Sequence, residues 1–402
     1  MLKVLKWVGI TVGALVGVLI LAVGILVTWK WTLVKNMTSM ETRGVEILEG
    51  YQPLRQVIGL ATPTLIPKAP QTELNIDPEA FSKAKAYSDS QGGMALLVYY
   101  KGALQYEGYA PGFDGNSRFE TFSMHKSVLG LLYGAALRDG IVTSLDDPIG
   151  KYIDEWKEDP RGKITVRAFL TMQSGLKVYS MAKGELPALE LAIGDRISET
   201  ALSLPIDTPA FETFKYYNAN SQIAGIALDR ALKKAGKSGY AEYLSSALWQ
   251  PIGAGTTNLW IERKDGDARY FAGLQGTPYD WMKVGMLIAD NGKANDKEVL
   301  PASWIETLAS PSKANPNYGI QVWLGNPWQA ERAYSPDIAL KVPHKEAYRV
   351  DDIIFFDGFG GQRVYVSRKL GLVIVRIGKV SVNFDDSVIP NAVIDGISSI
   401  GP

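Results

Sequence analysis

The chain has 402 residues, 42 basic against 42 acidic side chains, 46% apolar residues, no cysteine and two histidines, His125 and His344. Balanced charge leaves no electrostatic footprint for nucleic acid, and missing thiols exclude disulfide frameworks, zinc ribbons, iron–sulfur clusters and cysteine nucleophiles. Two histidines leave little room for a multi-histidine metal centre and restrict any serine–histidine–acid triad to those two.

The first element is a run of 23 residues without a charge, Trp7 to Trp29. As a helix it reaches ~34 Å, enough to cross a ~30 Å hydrocarbon core. Trp7 at one end, and Trp29 and Trp31 at the other, fit the aromatic belts of the two interfaces. A cleavable signal peptide would have an apolar region of only ~7–15 residues and a small-residue cleavage site, which is not seen near Thr28. Residues 1–35 are therefore expected to be an uncleaved membrane anchor, with residues 7–29 in the membrane. Lys3 and Lys6 oppose Lys30, Lys35 and Arg43, so charge alone does not orient it. Gly9, Gly13 and Gly17 have the spacing of a helix–helix contact and allow self-association, although glycine is common in membrane helices anyway.

Residues 36–76 read as a linker or arm, with Pro53, Pro63, Pro67 and Pro70 breaking any long period. A body over 77–402 opens at Asp77-Pro78, an N-cap followed by proline, which predicts a helix to about Asp89. GMALLVYYKGALQYEGYA then predicts a hairpin turning at Lys101-Gly102. A helix is expected from near Ser123 to a glycine stop at Gly140, and further helices over Ser221–Ala235, Tyr240–Leu248 and Pro278–Asn291. Val350–Phe356, Arg363–Ser367 and Leu372–Ile377 read as strands, followed by a helix over Asp386–Ile400 with Pro390 in its first turn. Strands near both ends around a helical middle predict an α+β domain whose antiparallel sheet joins the two ends, with a helical subdomain between.

With histidine scarce, serine activated by lysine is the obvious nucleophile scheme. Ser-x-x-Lys places both side chains on one helix face, and a partly desolvated lysine can serve as base. The pattern occurs five times, at Ser82, Ser123, Ser174, Ser180 and Ser310. Only Ser123 opens a long apolar helix, whose first-turn N–H groups favour developing negative charge. The competing reading is that Ser123 is a plain N-cap. Tyr-x-Asn occurs once, at Tyr216-Tyr217-Asn218, just ahead of a helical run and so on a loop. A phenol there can shuttle a proton, or it can simply pack on the core. FFDGFGGQRVYV carries a glycine-rich turn between strands, as an oxyanion-binding strand edge or a tight hairpin requires.

These three motifs, in this order, resemble the penicillin-recognising serine hydrolases: class C β-lactamases, DD-peptidases, and the related esterases and 6-aminohexanoate-dimer hydrolases. The resemblance covers roughly residues 80–400 and includes GIVTSLDDPIGKYIDEW, ITVRAFLTMQSGL and YDWMKVGMLIADNGK…EVLPASW. It implies a β-lactamase/transpeptidase-like fold, behind the membrane helix, and a serine hydrolase that works through an acyl-enzyme without a cofactor. It further implies Ser123 as nucleophile, Lys126 as base, Tyr216 as proton shuttle and Asn218 as the group that holds the substrate amide and the lysine. The oxyanion hole would use the N–H groups of Ser123 and Phe359. The family's usual habit implies a periplasmic catalytic domain on an inner-membrane anchor.

Where the family often has Lys-Thr-Gly or His-Thr-Gly, this chain has Phe356-Asp357-Gly358. The cation that would pair with a β-lactam or peptide carboxylate is missing there. Asp357 instead is expected to put negative charge near the entrance and to disfavour anionic substrates. A small-molecule ester or amide is the expected substrate, bound by Asn218, Asp357, Gly358 and Phe359. A β-lactamase or DD-peptidase, or a catalytically weak ligand-binding protein, is the alternative. His125 points about 200° away from Ser123 on a helix and is expected to pack. His344 precedes a terminal strand and is not expected to be a triad base. AGKS at Ala235–Ser238 lacks the first glycine of a phosphate loop, since Ala231 stands there.

Overall fold

The computed structural model describes Gly24, residues 30–38 and residues 44–400. Six strands make the central sheet: β1 (Gly93–Tyr100), β2 (Ala103–Tyr109), β3 (Trp323–Leu324), β4 (Ile353–Gly358), β5 (Gln362–Ser367) and β6 (Leu372–Gly378). Their order is β2-β1-β6-β5-β4-β3, and every neighbouring pair is antiparallel. The two chain ends meet where β6 pairs with β1, from Leu372↔Tyr100 to Ile377↔Ala95. Lys101 and Gly102 join β1 to β2 with φ of 44° and 92°, the left-handed pair that a two-residue hairpin loop demands.

Both faces of this sheet are covered, which is why its strands read as continuous apolar runs rather than alternating ones. Of five long helices, α1 (Pro78–Ser90), α2 (Met124–Arg138), α3 (Asn218–Lys234), α4 (Pro278–Ala289) and α5 (Val388–Ile400), α3 packs against α2 and the other four do the covering. Leu97, Val364, Val366, Val373 and Val375 pack toward α2 and α4, through Met124, Val128, Trp281 and Val284. Their strand neighbours Leu96, Val98, Tyr365, Leu372 and Ile374 pack toward α1 and α5, through Phe81, Ala84, Ile389 and Val393. The strand period of two therefore sorts one sheet into two cores. Helix α4 lies close on the sheet because of Gly285, where a Cβ would sit 2.4 Å from Val373 Cγ1.

Local chemistry starts these helices as the sequence predicts. Asp77 caps α1 by accepting the Glu79 N–H at 2.9 Å, and Pro390 lies in the first turn of α5. Thr277 and Asp280 form a reciprocal capping box at the start of α4. Several boundaries differ by two or three residues, as where the strand expected from Val350 begins at Ile353. Helix α3 begins at Asn218 rather than Ser221, so Asn218 sits on the first turn and not on a loop. The helix from Tyr240 is α only to Leu244 and continues as a π-helical turn over Ser245–Trp249, just before Pro251.

One part of the expected fold is corrected. Among the described residues no helix is long and apolar enough to cross a membrane. Trp7–Trp29, expected to span one, lies outside the described residues except for Gly24, as do Gly9, Gly13 and Gly17. Among the described residues the α+β architecture therefore includes no membrane-crossing helix. The first described helix, Trp31–Thr38, lies on the body instead, with Leu33 and Asn36 buried and Lys30 Nζ 2.8 Å from the Glu190 carboxylate.

The proline-rich stretch that follows is an arm packed on the body. Leu54–Val57 pairs antiparallel with Thr257–Trp260, and Tyr51 meets Trp260 edge-on at 5.1 Å. Val45, Tyr51 and Val57 are buried, and the Val45 carbonyl accepts the Glu120 N–H at 2.8 Å. Prolines favour such an extended course because they exclude a helix without needing a strand partner for every residue. Burying each of the three side chains contributes roughly 1.5–3 kcal/mol. A chain starting at residue 77 should accordingly unfold at clearly lower urea concentration than one starting at residue 44, measured by equilibrium denaturation.

Candidate active site

The FETFSMHK segment makes a tight entry into α2. Phe122 adopts φ of +51°, a left-handed conformation that is strained for an aromatic residue. The buried Glu120 carboxylate holds it there. Its Oε1 accepts the Phe122 N–H at 2.8 Å and the Gly273 N–H at 3.0 Å. Ser123 follows at the N-cap position, yet its side chain makes no capping hydrogen bond. Its Oγ is instead 2.8 Å from Lys126 Nζ. Three of the other four serines of the repeated pattern are spent differently. Ser82 and Ser310 donate to the backbone carbonyls of Pro78 and Glu306, and Ser174 to the side chain of Asn220.

Lys126 is 1% exposed, and three acceptors from three segments surround its amine. Besides Ser123, these are Asn218 Oδ1 at 2.9 Å and the Phe271 carbonyl at 3.4 Å. Burial pushes the ammonium down to about 7, against the opposing pull of the Asp357 charge. The Tyr216 ring centroid is 4.7 Å from Nζ. Burial, and next the Asp357 charge, raise the Tyr216 phenol well above its ordinary value, so it keeps its proton. The two shifts thus run in opposite directions, the lysine toward its free amine and the tyrosine toward its protonated phenol. Aromatic packing against Trp323, Tyr318 and Tyr334 fixes the tyrosine, whose backbone N–H donates to the Tyr334 carbonyl at 2.8 Å.

The glycine turn after β4 abuts this entry. A Cβ on Gly358 would lie 2.2 Å from the Thr121 carbonyl, so only glycine lets the strand end approach the serine turn. The Phe122 and Phe359 rings stand edge to face at 6.1 Å. Among the described residues, neither the Ser123 N–H nor the Phe359 N–H has an acceptor within the protein. Two backbone donors, one on each side of this close approach, are thus unspent, and an oxyanion needs donors of that kind.

Asp357 is not the open negative charge that the sequence suggests. It is buried, with Arg332 Nη1 at 2.7 Å and Arg363 Nη1 at 2.5 Å. Asp386 pairs with the same two arginines, at 2.9 Å and 2.7 Å. Arg332 comes from a hairpin, Glu331–Ser335 with Ile338–Pro343, that packs beside β3. Two cations and two carboxylates thus compensate one another, and the expected repulsion of anions at Asp357 is corrected to near neutrality.

His125 lies on the far side of α2. Its Nδ1 is 2.8 Å from the Ala272 carbonyl, its Nε2 is 3.0 Å from Tyr240 Oη, and burial pushes it down to about 4. The neutral ring ties α2 to the segment that supplies the Phe271 carbonyl. His344 packs on Tyr348, with ring centroids 4.4 Å apart. Among the described residues no three His, Asp or Glu side chains cluster as metal ligands would. Glu120, Arg332, Arg363 and Asp386 were not singled out in the sequence. Arg363 had a signal, since a charged residue inside the apolar strand RVYV must find a buried partner.

The beta-lactamase family model matches residues 81–388 of this chain. The chain belongs to the beta-lactamase family. As a member of that family it is a serine hydrolase with the α+β fold described above. A 6-aminohexanoate-dimer hydrolase of Paenarthrobacter ureafaciens is 25% identical over 227 residues, 53% of this chain and 56% of that protein. The chain thus matches little more than half the length of that relative. Among solved structures, a Bacillus anthracis protein assigned as a 6-aminohexanoate-dimer hydrolase aligns with a TM-score of 0.70 at 20% identity, covering 89% of this chain and 93% of its own. A family VIII carboxylesterase aligns with a TM-score of 0.57 at 14% identity, covering 80% and 98%. At such identities the two structures speak for the fold of this beta-lactamase family member.

Glu120 yields a prediction independent of chemistry. Burial raises its carboxyl from 4.5 to about 7, so the folded state holds a proton that the unfolded state releases. Its contribution is present below about pH 4.5 and is lost as pH rises to about 7. Glu120→Gln keeps an acceptor for both N–H groups but cannot ionise. Relative to wild type it should gain on the order of 2–3 kcal/mol between pH 4.5 and pH 8, read from urea unfolding at both pH values.

Proposed function

We propose that this serine hydrolase cleaves uncharged esters or small amides through an acyl-enzyme on Ser123. The contact of Lys126 Nζ with a serine hydroxyl that caps nothing is the observation that carries the reading. In this mechanism the unprotonated Lys126 amine takes the Ser123 proton as Oγ attacks the substrate carbonyl carbon. The oxygen of the tetrahedral intermediate accepts the N–H groups of Ser123 and Phe359. Tyr216 delivers its phenolic proton to the leaving alcohol or amine and is reprotonated from Lys126. Water then attacks the acyl-enzyme, losing its proton to the same pair, and Ser123 is released. Asn218 holds Lys126 through Oδ1 and has its amide N–H groups for the substrate.

Charge supports the neutral substrate. A β-lactam or peptidyl carboxylate needs an uncompensated cation beside the strand edge, and Arg332 and Arg363 there are both paired with Asp357 and Asp386. The exposed Phe359, Val380 and Val382 side chains at the turn offer apolar contact instead. The relatives named above act, by their names, on a linear amide, the aminohexanoate dimer, and on carboxylic esters, which fits ester or amide cleavage.

A fluorophosphonate probe should label the wild-type protein and fail to label Ser123→Ala. Tyr216→Phe should lower kcat by about 10²–10⁴, the range for loss of a proton-transfer group. Short esters or linear amides should turn over, and nitrocefin should turn over slowly. Labelling that survives in Ser123→Ala would overturn the acyl-enzyme reading, and fast nitrocefin hydrolysis would overturn the neutral substrate. A folded protein that takes no label at all would be a binding protein built on this fold.

The lysine also sets a pH profile. Only its neutral form can accept the serine proton, and burial places the change at about 7. At saturating ester, kcat should therefore rise from pH 5.5 through about 7 and level off near pH 8, while ordinary lysine would leave it rising to about pH 10.

A further inference from the structure

We propose that Arg363 is a positioning residue of the oxyanion hole, acting through the peptide group between Gly358 and Phe359. The proposal rests on the acyl-enzyme reading, in which the N–H of that peptide binds the oxyanion. The carbonyl at the other end of the same peptide accepts Arg363 Nη1 at 2.9 Å. A peptide group is planar, so fixing the direction of its oxygen fixes the direction of its N–H. The turn needs such a grip. Gly358 precedes Phe359, and Gly360 and Gly361 follow it with φ of 77° and 93°, so the backbone alone leaves the plane free to rotate.

The grip also strengthens the donor. A hydrogen bond to an amide oxygen draws electron density from the nitrogen, and chained bonds reinforce each other by perhaps ~10–30%. The other carbonyls of the turn are held from the same side. Gln362 Nε2 donates to the Phe359 carbonyl at 3.3 Å, and Arg376 Nη1 to the Gly361 carbonyl at 3.0 Å. With its oxygens tied down toward β5 and β6, the turn leaves the Phe359 N–H for the substrate.

Arg363 is itself fixed. It is 1% exposed, its Nε donates to Asp386 Oδ1 at 2.7 Å, and its Nη1 also reaches the Gln362 carbonyl at 2.9 Å. Only a planar fork can serve the carboxylate and the two carbonyls together, which a lysine ammonium cannot do in one position. Its loss would strand neither carboxylate, because Arg332 pairs with both Asp357 and Asp386.

The test compares wild type with Arg363→Gln and Arg363→Lys, using a p-nitrophenyl ester as substrate. Phenylboronic acid serves as the probe whose tetrahedral adduct occupies the oxyanion hole, and thermal unfolding reports folding. Removing one oxyanion donor costs about 10²–10³ in kcat, so weakening one should cost about 10–100-fold. The expected result is that loss in kcat, KM within about threefold, and phenylboronate affinity lowered by a similar factor. In Arg363→Lys, which keeps the charge beside Asp357, the pH midpoint near 7 should stay in place. Arg363→Lys should recover little despite keeping the charge, and it decides the matter alone if Arg363→Gln does not fold. Wild-type kcat and boronate affinity in a folded variant, or a change confined to KM, would overturn the proposal. Loss of the underlying reading shows separately, as fluorophosphonate labelling that persists in Ser123→Ala.

Discussion

A lysine amine with 1% of its surface exposed is costly unless every one of its hydrogens finds an acceptor, and Lys126 draws its acceptors from three separate places. One is a turn away on its own helix, one opens α3, and one is the backbone carbonyl of Phe271. None of these can shift alone. The rest of the site follows from keeping that triangle closed. Glu120 ties the serine turn to Gly273, His125 ties the first turn of the helix to Ala272, and Phe271 directly precedes those two anchor points. The left-handed Phe122 is tolerated because this frame over-determines it. Burial then does chemical work, since the same desolvation that makes the lysine costly brings its proton within reach of neutral pH.

The second constraint is the pair of arginines and pair of aspartates behind β4 and β5. Buried ion pairs contribute little net stability, since desolvation offsets most of the attraction. Their value here is positional. Arg332 carries a hairpin onto the aromatic wall of Tyr216, lying 4.4 Å over the Trp323 ring. Arg363 reaches from the same cluster to the glycine turn. One compensated group of charges thereby sets both the proton donor and the oxyanion turn, from two different parts of the chain.

Much of this was legible in the sequence where short-range rules decide. The Lys101-Gly102 turn, the Asp77-Pro78 helix start, the three late strands and the Ser123 helix all depend on residues within a few positions of one another. Ser123 and Lys126 share that property, which is why their contact could be expected from spacing. Arg332 and Asp357 are joined across a hairpin, and Asp386 reaches them from a third segment, so no local pattern announces the neutral cluster. A missing lysine at position 356 was visible, but the two cations that neutralise Asp357 beside it were not. The arm shows the same limit. Its prolines exclude a helix, yet only the pairing of Leu54–Val57 with Thr257–Trp260 says where it lies.

Compensation changes the account of specificity in a way that composition could not. A free Asp357 would act by repelling anions over a distance set by salt, a weak and tunable filter. A neutral cluster acts by offering an anion no partner, so a substrate carboxylate would lose its water at the strand edge and gain no ion pair in return. That penalty is one of desolvation and is far less sensitive to ionic strength than repulsion. Discrimination between neutral and anionic acyl groups should therefore persist in high salt. The exposed Phe359, Val380 and Val382 make the same preference positive, since apolar contact is what that mouth can provide.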